Sequence, residues 1–482
     1  MSRKEKFLLF TIIFIGTLLR IFNIGKHSFW CDELLAISIG QHSIKWIFDY
    51  ITYNDAHPPF FYILVHFLLK LGNNEILLRS LPLISGILTI PAGYCLGKKF
   101  KNQKIGLILS LFISLSPPLI LWSQILKSYT FLTLLTILSF YYFLDYLDNK
   151  NWKKLVILVI LNTLILYTHN FGFIVILIQI ITFALLKNLD NKFIYSNMIT
   201  LILYLPWLIR IPHQLKFTLG VRRPFPLFLR FPYTIFYFFL GETVNPFNIK
   251  ILIPTIILYI IILPSCSKEF LNLNKDRKIL LSISIILPIL FVPFPSTVPQ
   301  NLISFSFFWY LFFSLGIEKK NVKNPINFLI FLCFLPSLFF YYTDNISQYH
   351  DPSKLIPFRE IYNVIEQIEG HNDLIITTEN LDKNIFSPIQ WYYKGKSKII
   401  EIENPNDLEK IYETLNKHER YFLILDFVNR AEISDKIKEI FESSFKKTYE
   451  RKFIYNEKLL SKLKGKTEYY YLVEVYIFEN KR

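Results

Sequence analysis

The run KKFKNQKIGLILSLFISLSPPLILWSQILKSY, residues 98–129, decides the architecture. It opens on Lys98, Lys99, Lys101 and Lys104, passes through an uncharged apolar stretch over 105–122, and ends on the polar groups Gln124, Lys127 and Tyr129. A stretch of this kind approaches the roughly 20 residues that cross a bilayer as a helix. Cations at one end and none within it form the pattern that orients a span, with Lys and Arg kept on the cytoplasmic side.

The same unit repeats outward in both directions. KFLLFTIIFIGTLL (6–19), LVILVILNTLILY (155–167) and FGFIVILIQIITFALL (171–186) are further apolar runs. Between them sit basic clusters at Arg3, Lys4 and Lys6, at Lys150, Lys153 and Lys154, at Lys268, Lys275, Arg277 and Lys278, and at Lys319, Lys320 and Lys323. These fall in alternate loops, so the net charge of +16 reads as topology information and not as a nucleic-acid surface. With 52% hydrophobic residues clustered this way, the chain is an α-helical polytopic membrane protein, not a set of soluble domains.

With the basic N-terminus inside, about eleven spans follow at the usual length. They centre near 7–24, 76–96, 105–121, 130–147, 155–168, 171–187, 197–211, 249–265, 279–294, 302–317 and 325–341. No small-residue cleavage site follows the first run, which reads as a retained helix. The odd number puts the C-terminus outside and leaves two long outer segments, 25–75 and 212–248. HPPFFYILVHFLLKLG in the first of them suits a helix lying in the interface plane.

Near residue 342 the spanning runs stop and charge density rises. Alternating signals follow: helix at FREIYNVIEQIE, strands at DLIITTE and KIIEIE, helix at NDLEKIYETLNKH, strand at YFLILDF, helix at ISDKIKEIFESS, strand at YYYLVEVYIF. The organisation is therefore a transmembrane domain over 1–341, with outer loop 25–75 carrying acids, and an extracytoplasmic soluble α/β domain over 342–482. That domain shows no acid cluster, glycine-rich loop or metal-ligand spacing, so it is expected to cover the site or hold an acceptor without supplying a base. Cys31, Cys95, Cys266 and Cys333 are scattered and form no disulfide framework.

Ionisable groups at the outer ends of spans carry the chemistry, because burying a charge in the bilayer is costly. Asp32 and Glu33, in SFWCDELLAISIG, follow the first span. Paired acids there suit a helix N-terminus, where the dipole favours them. They equally suit a general base with a second acid orienting a substrate or a divalent metal ion, and the sequence leaves the metal unknown. NDAHPPFFY, residues 54–62, repeats the theme: Pro58 can start a helix with Asp55 or His57 near its N-cap. Together with Asp32 and Glu33, it supplies a second acidic group for one external site. WSQILKSY (122–129) and YTHNFG (167–172) add Gln124, Lys127, Tyr129 and His169 on the same side. Lys127 and the pair Arg222 and Arg223 could neutralise a phosphate or simply snorkel to headgroups.

In this order, CDELLAISIG, DAHPPFFY, the LRSLP of residues 78–82, WSQILKSY and YTHNFG resemble the polyprenyl-phosphate-sugar-dependent glycosyltransferases of the GT-C fold. The nearest branch is that of the dolichyl-phosphate-mannose protein mannosyltransferases. The resemblance implies an inverting hexosyl or pentosyl transferase with Asp32 as catalytic base, Glu33 beside it, and Asp55 and His57 at the same cavity. It also draws in Arg79. The implied partners are a polyprenyl-phosphate-linked sugar, a glycan, lipid or protein acceptor, and the bilayer. Two departures stand out. The family's SQEAR-Y is here SQILKSY, and VPQNL (298–302) stands where relatives often carry an Arg-Tyr pair. An oligosaccharide ligase, or a transporter or flippase of lipid-linked glycans, is the competing reading; transporters place charges at the midplane of repeated halves, which this chain lacks.

Overall fold

A computed structural model describes residues 2–187, 190–220, 226–294, 297–319, 325–349, 352–379, 381, 385–404, 407–414, 417–426, 431–454 and 473–479. The chain divides into two compact units, Met1–Ile24 with Gly40–Tyr342, and Gly25–Ile39 with Thr343–Arg482. The C-terminal unit thus recruits a segment from the far end of the sequence, and Asp32 and Glu33 lie in it.

The first unit is helical. Among the described residues, Ser80–Phe100, Tyr129–Asn149, Ile249–Leu271 and Pro299–Lys319 are long and apolar enough to cross a membrane. Gln103–Leu115 and Pro117–Ser123, bent by 60°, make a fifth if they count as one span. By length and composition the structure gives four or five spans, against the eleven read from the sequence. The difference arises where helices are short, as at Asn170–Leu185 and Leu329–Tyr342, or polar, as in Arg3–Ile21 with Arg3, Lys4, Glu5, Lys6 and Arg20.

The bend lies inside the stretch that opened the sequence reading. Pro117 and Pro118 have no N–H, so the carbonyls of Ile113 and Ser114 lose their helical donors. Arg20, fully buried, supplies replacements: Nη2 donates to Ile113 O at 2.8 Å and Nη1 to Ser114 O at 3.0 Å. Nη1 also donates to Gly16 O at 3.0 Å. A guanidinium in an apolar bundle is accounted for, because unsatisfied backbone carbonyls are intolerable without water. One turn on, Gln124 Nε2 donates to the carbonyls of Leu19, Arg20 and Phe22 at 3.2, 2.9 and 2.8 Å, closing the end of the first helix.

Two other devices hold the bundle. Helices Ser80–Phe100 and Gln103–Leu115 form a hairpin so close that a Cβ on Gly97 would lie 2.8 Å from Gly106 Cα, the small-residue contact that lets membrane helices approach. Ser139, Asn162 and Gln179, on three successive helices, close a ring of hydrogen bonds at 2.7, 2.8 and 2.7 Å. The basic loops are also drawn together. Lys99 pairs with Asp145 at 2.7 Å and Asp148 at 3.1 Å, and Arg277 with Asp148 at 2.8 Å. Lys101 meets Glu318 at 2.7 Å and Glu269 at 3.2 Å. Four loops that the charge pattern assigned to one side are therefore drawn together by two salt-bridge clusters, one around Lys99 and one around Lys101.

The second unit is α/β. Its strands are β1 (Asp373–Thr377), β2 (Lys398–Glu401), β3 (Arg420–Asp426), β4 (Lys446–Phe453) and β5 (Val473–Glu479), in the order β2-β1-β3-β5-β4. β1 pairs in parallel with β2 and β3, whereas β5 runs antiparallel to β3 and β4. Helices Phe358–Ile368 and Ala431–Ser444 bury apolar faces on opposite sides of the sheet, in cores around Ile361, Ile365 and Phe422 and around Ile437, Phe441 and Tyr476. The strand that sequence reasoning missed, β4, is KKTYERKF. As an edge strand it is exposed along nearly its whole length, so no apolar alternation marks it.

Candidate functional site

Helix Ile44–Asn54 ends on Asp55, which turns the chain into the double proline. Asp55 Oδ1 accepts the His57 backbone N–H at 2.7 Å and lies 2.9 Å from His57 Nδ1. Tyr62 donates its hydroxyl to Oδ2 at 2.8 Å from the first turn of helix Phe60–Leu69. The carbonyls of the loop are taken by two side-chain amides. Gln214 Nε2 donates to Asp55 O at 3.2 Å and His57 O at 3.0 Å, and Asn170 Nδ2 to Ala56 O at 2.7 Å. Two rigid prolines, an internal carboxylate and two amides leave the loop one conformation.

Asp55 is buried, and burial alone would raise its carboxyl. The hydrogen bond and charge of His57, then the charge of Lys127 and the Tyr62 hydroxyl, outweigh that and hold it below the usual carboxylate range. An ionised Asp55 accepts from Nδ1–H of His57 and so holds the ring in one orientation. His57 is half-buried and faces His169 edge to face, the rings 5.1 Å apart.

His169 ends helix Trp152–Thr168, and its Nδ1 accepts the Phe171 N–H at 3.1 Å. Burial, reinforced by the charges of His57 and Lys127 against the pull of Asp55, keeps it neutral, well below the usual imidazole range. Lys127 is buried, at 7% exposure, and its charge reaches both Asp55 and His169. A lysine this enclosed is not snorkelling. Tyr129 packs on Trp122 at 4.5 Å and on His169 at 6.0 Å, and donates to Asn301 Oδ1 at 3.3 Å.

Asp55, His57, Lys127, Tyr129 and His169 thus come together. Gln124 and Arg79 are engaged elsewhere: Gln124 caps the first helix and accepts from Tyr341 at 2.6 Å, and buried Arg79 donates to Ile24 O at 2.9 Å. Both support the frame. Arg222 and Arg223 lie outside the described residues. Tyr62, Gln214, Asn170 and Asn301 escaped the sequence reading; only the last had a signal, the VPQNL departure.

Asp32 and Glu33 occupy the first turn of helix Cys31–Gln41, in the second unit. Glu33 Oε2 accepts the Trp30 N–H at 3.0 Å, so this acid serves as a cap, as the dipole reading anticipated. The segment is fastened on both sides of the acids. Phe29 N–H donates to the Tyr392 hydroxyl at 2.5 Å, and Phe386 N–H to Ser38 Oγ at 2.7 Å. The Cys31 thiol is raised, by desolvation of its sulfur first and then by the charges of Glu379, Asp32 and Asp426, although the residue as a whole is exposed. Among the described residues no three His, Cys, Asp or Glu side chains form a metal-ligand set.

Residues 56–213 match the sequence model of the family described as dolichyl-phosphate-mannose-protein mannosyltransferase, about a third of the chain. No curated protein sequence matches significantly. The structure is similar to that of ArnT from Cupriavidus metallidurans in the apo state, at 10% identity and a TM-score of 0.64, covering 98% of each chain. It is also similar to ArnT bound to undecaprenyl phosphate, at 11% identity and a TM-score of 0.58, over 99% of this chain and 98% of that one. The archaeal oligosaccharyltransferase AglB from Archaeoglobus fulgidus, in complex with an inhibitory peptide and a dolichol-phosphate, follows at 11% identity and a TM-score of 0.54, over 88% and 69%. Fold and family match together define a membrane glycosyltransferase of the GT-C fold. The chain is related to the dolichyl-phosphate-mannose-protein mannosyltransferases, across the segment that holds His57, Lys127, Tyr129 and His169.

Proposed function

We propose that the protein transfers a sugar from a polyprenyl-phosphate donor to an acceptor hydroxyl at the outer face of the membrane, with inversion. The observation that carries this is the cluster of His57, buried Lys127 and neutral His169 within the family-matching segment, with ionised Asp55 immediately before it. The solved ArnT and AglB complexes hold undecaprenyl phosphate and a dolichol-phosphate respectively, which supports a lipid-phosphate donor here. Lys127 offsets the charge of the departing phosphate, and stabilising that charge while orienting the acceptor supplies most of the rate. Asp32 is the proposed base, with Glu33 fixing its turn; Asp55 orients His57, and Tyr129 lines the donor. Arg222 and Arg223 are proposed as further phosphate contacts from the sequence alone.

In this reading the chain crosses the membrane eleven times, and residues 343–482 are extracytoplasmic. The test is release of polyprenyl phosphate from a sugar-charged polyprenyl phosphate by purified protein. Asp32→Asn should slow single-turnover transfer by at least about a hundredfold, the loss typical of a missing general base. No release from any sugar-charged lipid, with the protein folded, rejects the transferase reading. Equal rates for the variant remove Asp32 from the role of base.

A further inference from the structure

The tautomer of His169 is fixed by the chain. Its Nδ1 accepts the Phe171 N–H at 3.1 Å, so Nδ1 carries the lone pair and the proton of the neutral ring sits on Nε2. That Nε2–H is buried and, among the described residues, makes no hydrogen bond. Asn301 interacts with the ring as a weak hydrogen-bond partner that favours its charged form, but it does not reach hydrogen-bond geometry with Nε2, and its Oδ1 is already engaged by Tyr129. Buried donors are nearly always satisfied, and one left open next to a buried lysine points to a missing acceptor.

We infer that His169 Nε2–H donates a hydrogen bond to a phosphate oxygen of the bound lipid phosphate, an inference that rests on the donor class proposed above. The neighbouring charge of Lys127, felt by both His169 and Asp55, calls for an anion and not for a second donor. A neutral imidazole suits this place. It contributes a directional bond without a proton to lose, and it leaves the cationic role to Lys127. The ring therefore does two separable jobs, capping with Nδ1 and contacting substrate with Nε2.

Two substitutions separate the jobs. Asn places an acceptor where Nδ1 stands and can keep the cap on Phe171 N–H, but it has nothing at the Nε2 position. Gln reaches the Nε2 position with an amide N–H and gives up the cap. Dissociation constants for undecaprenyl phosphate would be measured on the purified full-length chain in detergent, with undecaprenol as the probe lacking phosphate. His169→Asn should bind undecaprenyl phosphate about tenfold or more weakly, the usual consequence of losing one such bond. His169→Gln should stay within about threefold of the wild type, and undecaprenol should not distinguish the three proteins.

Equal affinity of wild type and His169→Asn overturns the assignment, as does a His169→Gln that binds more weakly than His169→Asn, the order a pure cap would give. A His169→Asn that loses affinity for the sugar-charged lipid but not for undecaprenyl phosphate moves the contact to a sugar hydroxyl and also overturns it. A wild type that ignores undecaprenyl phosphate altogether overturns the donor class and this contact with it, a failure distinct from the others.

Discussion

Replacing Asp55 with Asn keeps the shape of the side chain and removes its charge. In the structure Asp55 accepts three hydrogen bonds, from His57 N–H at 2.7 Å, His57 Nδ1 at 2.9 Å and Tyr62 at 2.8 Å. A hydrogen bond to a charged group contributes about 1.5–3 kcal/mol, against about 0.5–1.5 for a neutral one. Three such bonds lose about 3 kcal/mol together, partly offset because the buried charge no longer has to be desolvated. The amide also presents a donor to one of its partners. Tyr62 can rotate its hydroxyl and accept, so the conflict resolves there and the net stability loss should be about 2 kcal/mol. The larger effect falls on His57. Without a carboxylate at Nδ1 the ring is no longer held in one orientation toward the site. We expect Asp55→Asn to bind undecaprenyl phosphate within a few-fold of the wild type while single-turnover transfer drops on the order of a hundredfold. Tyr62→Phe, which removes one bond and leaves the Asp55–His57 contact alone, should lose stability but less than tenfold in rate. The assay is sugar transfer by matched amounts of folded protein. Equal rates for Asp55→Asn and wild type would refute the orienting role, whatever happened to stability.

Arg20→Met should strand the Ile113 and Ser114 carbonyls at the proline bend and cost about 2–6 kcal/mol, read as an earlier unfolding midpoint in a denaturing-detergent titration; an unmoved midpoint would refute the pairing. Burial pushes Glu379 up to about 7. A carboxyl raised on folding favours the protonated folded state, so its stabilising effect is fullest below its unfolded value of about 4.5 and is lost as pH rises to about 7. Glu379→Gln should therefore gain in melting temperature relative to wild type as pH increases across that window, and a constant difference would refute it. A topology reporter after residue 345 should lie outside the cytoplasm and one at residue 101 inside.

Much of this was legible in the sequence because the two strongest signals, apolar runs and charge spacing, are local. The loop salt bridges around Lys99, Lys101 and Arg277 were implicit in where the cations fell, and the parallel strands β1 and β3 in their unbroken apolar runs. Asp55, His57, Lys127, Tyr129 and His169, which the structure brings together, stood out because each is a polar group at the end of an apolar run. What escaped depended on distance in the chain. Gln214 and Asn170 clamp the Asp55 loop from over a hundred residues away, and an amide between apolar residues carries no mark of its target. Gln124 was read as a substrate contact because a polar residue at a helix end looks the same whether it serves a ligand or a neighbouring carbonyl, and Arg79 because the resemblance drew it in. Glu379 and Asp426 likewise stand singly in sequence, and their charges bear on Cys31 only once strands β1 and β3 are paired.

The assignment of Gly25–Ile39 to the C-terminal unit also sets a schedule for biosynthesis. The bond between Phe29 N–H and Tyr392 joins residues 363 apart. At about 5–20 residues per second, the ribosome makes the partners of the acid-bearing turn roughly 20–70 s after the turn itself has emerged. During that interval the bundle can insert helix by helix, but Asp32 has no sheet to rest on. A nascent or prematurely terminated chain would sit among lipid-linked sugars with its proposed base unseated, and seating it is among the last events in making the protein.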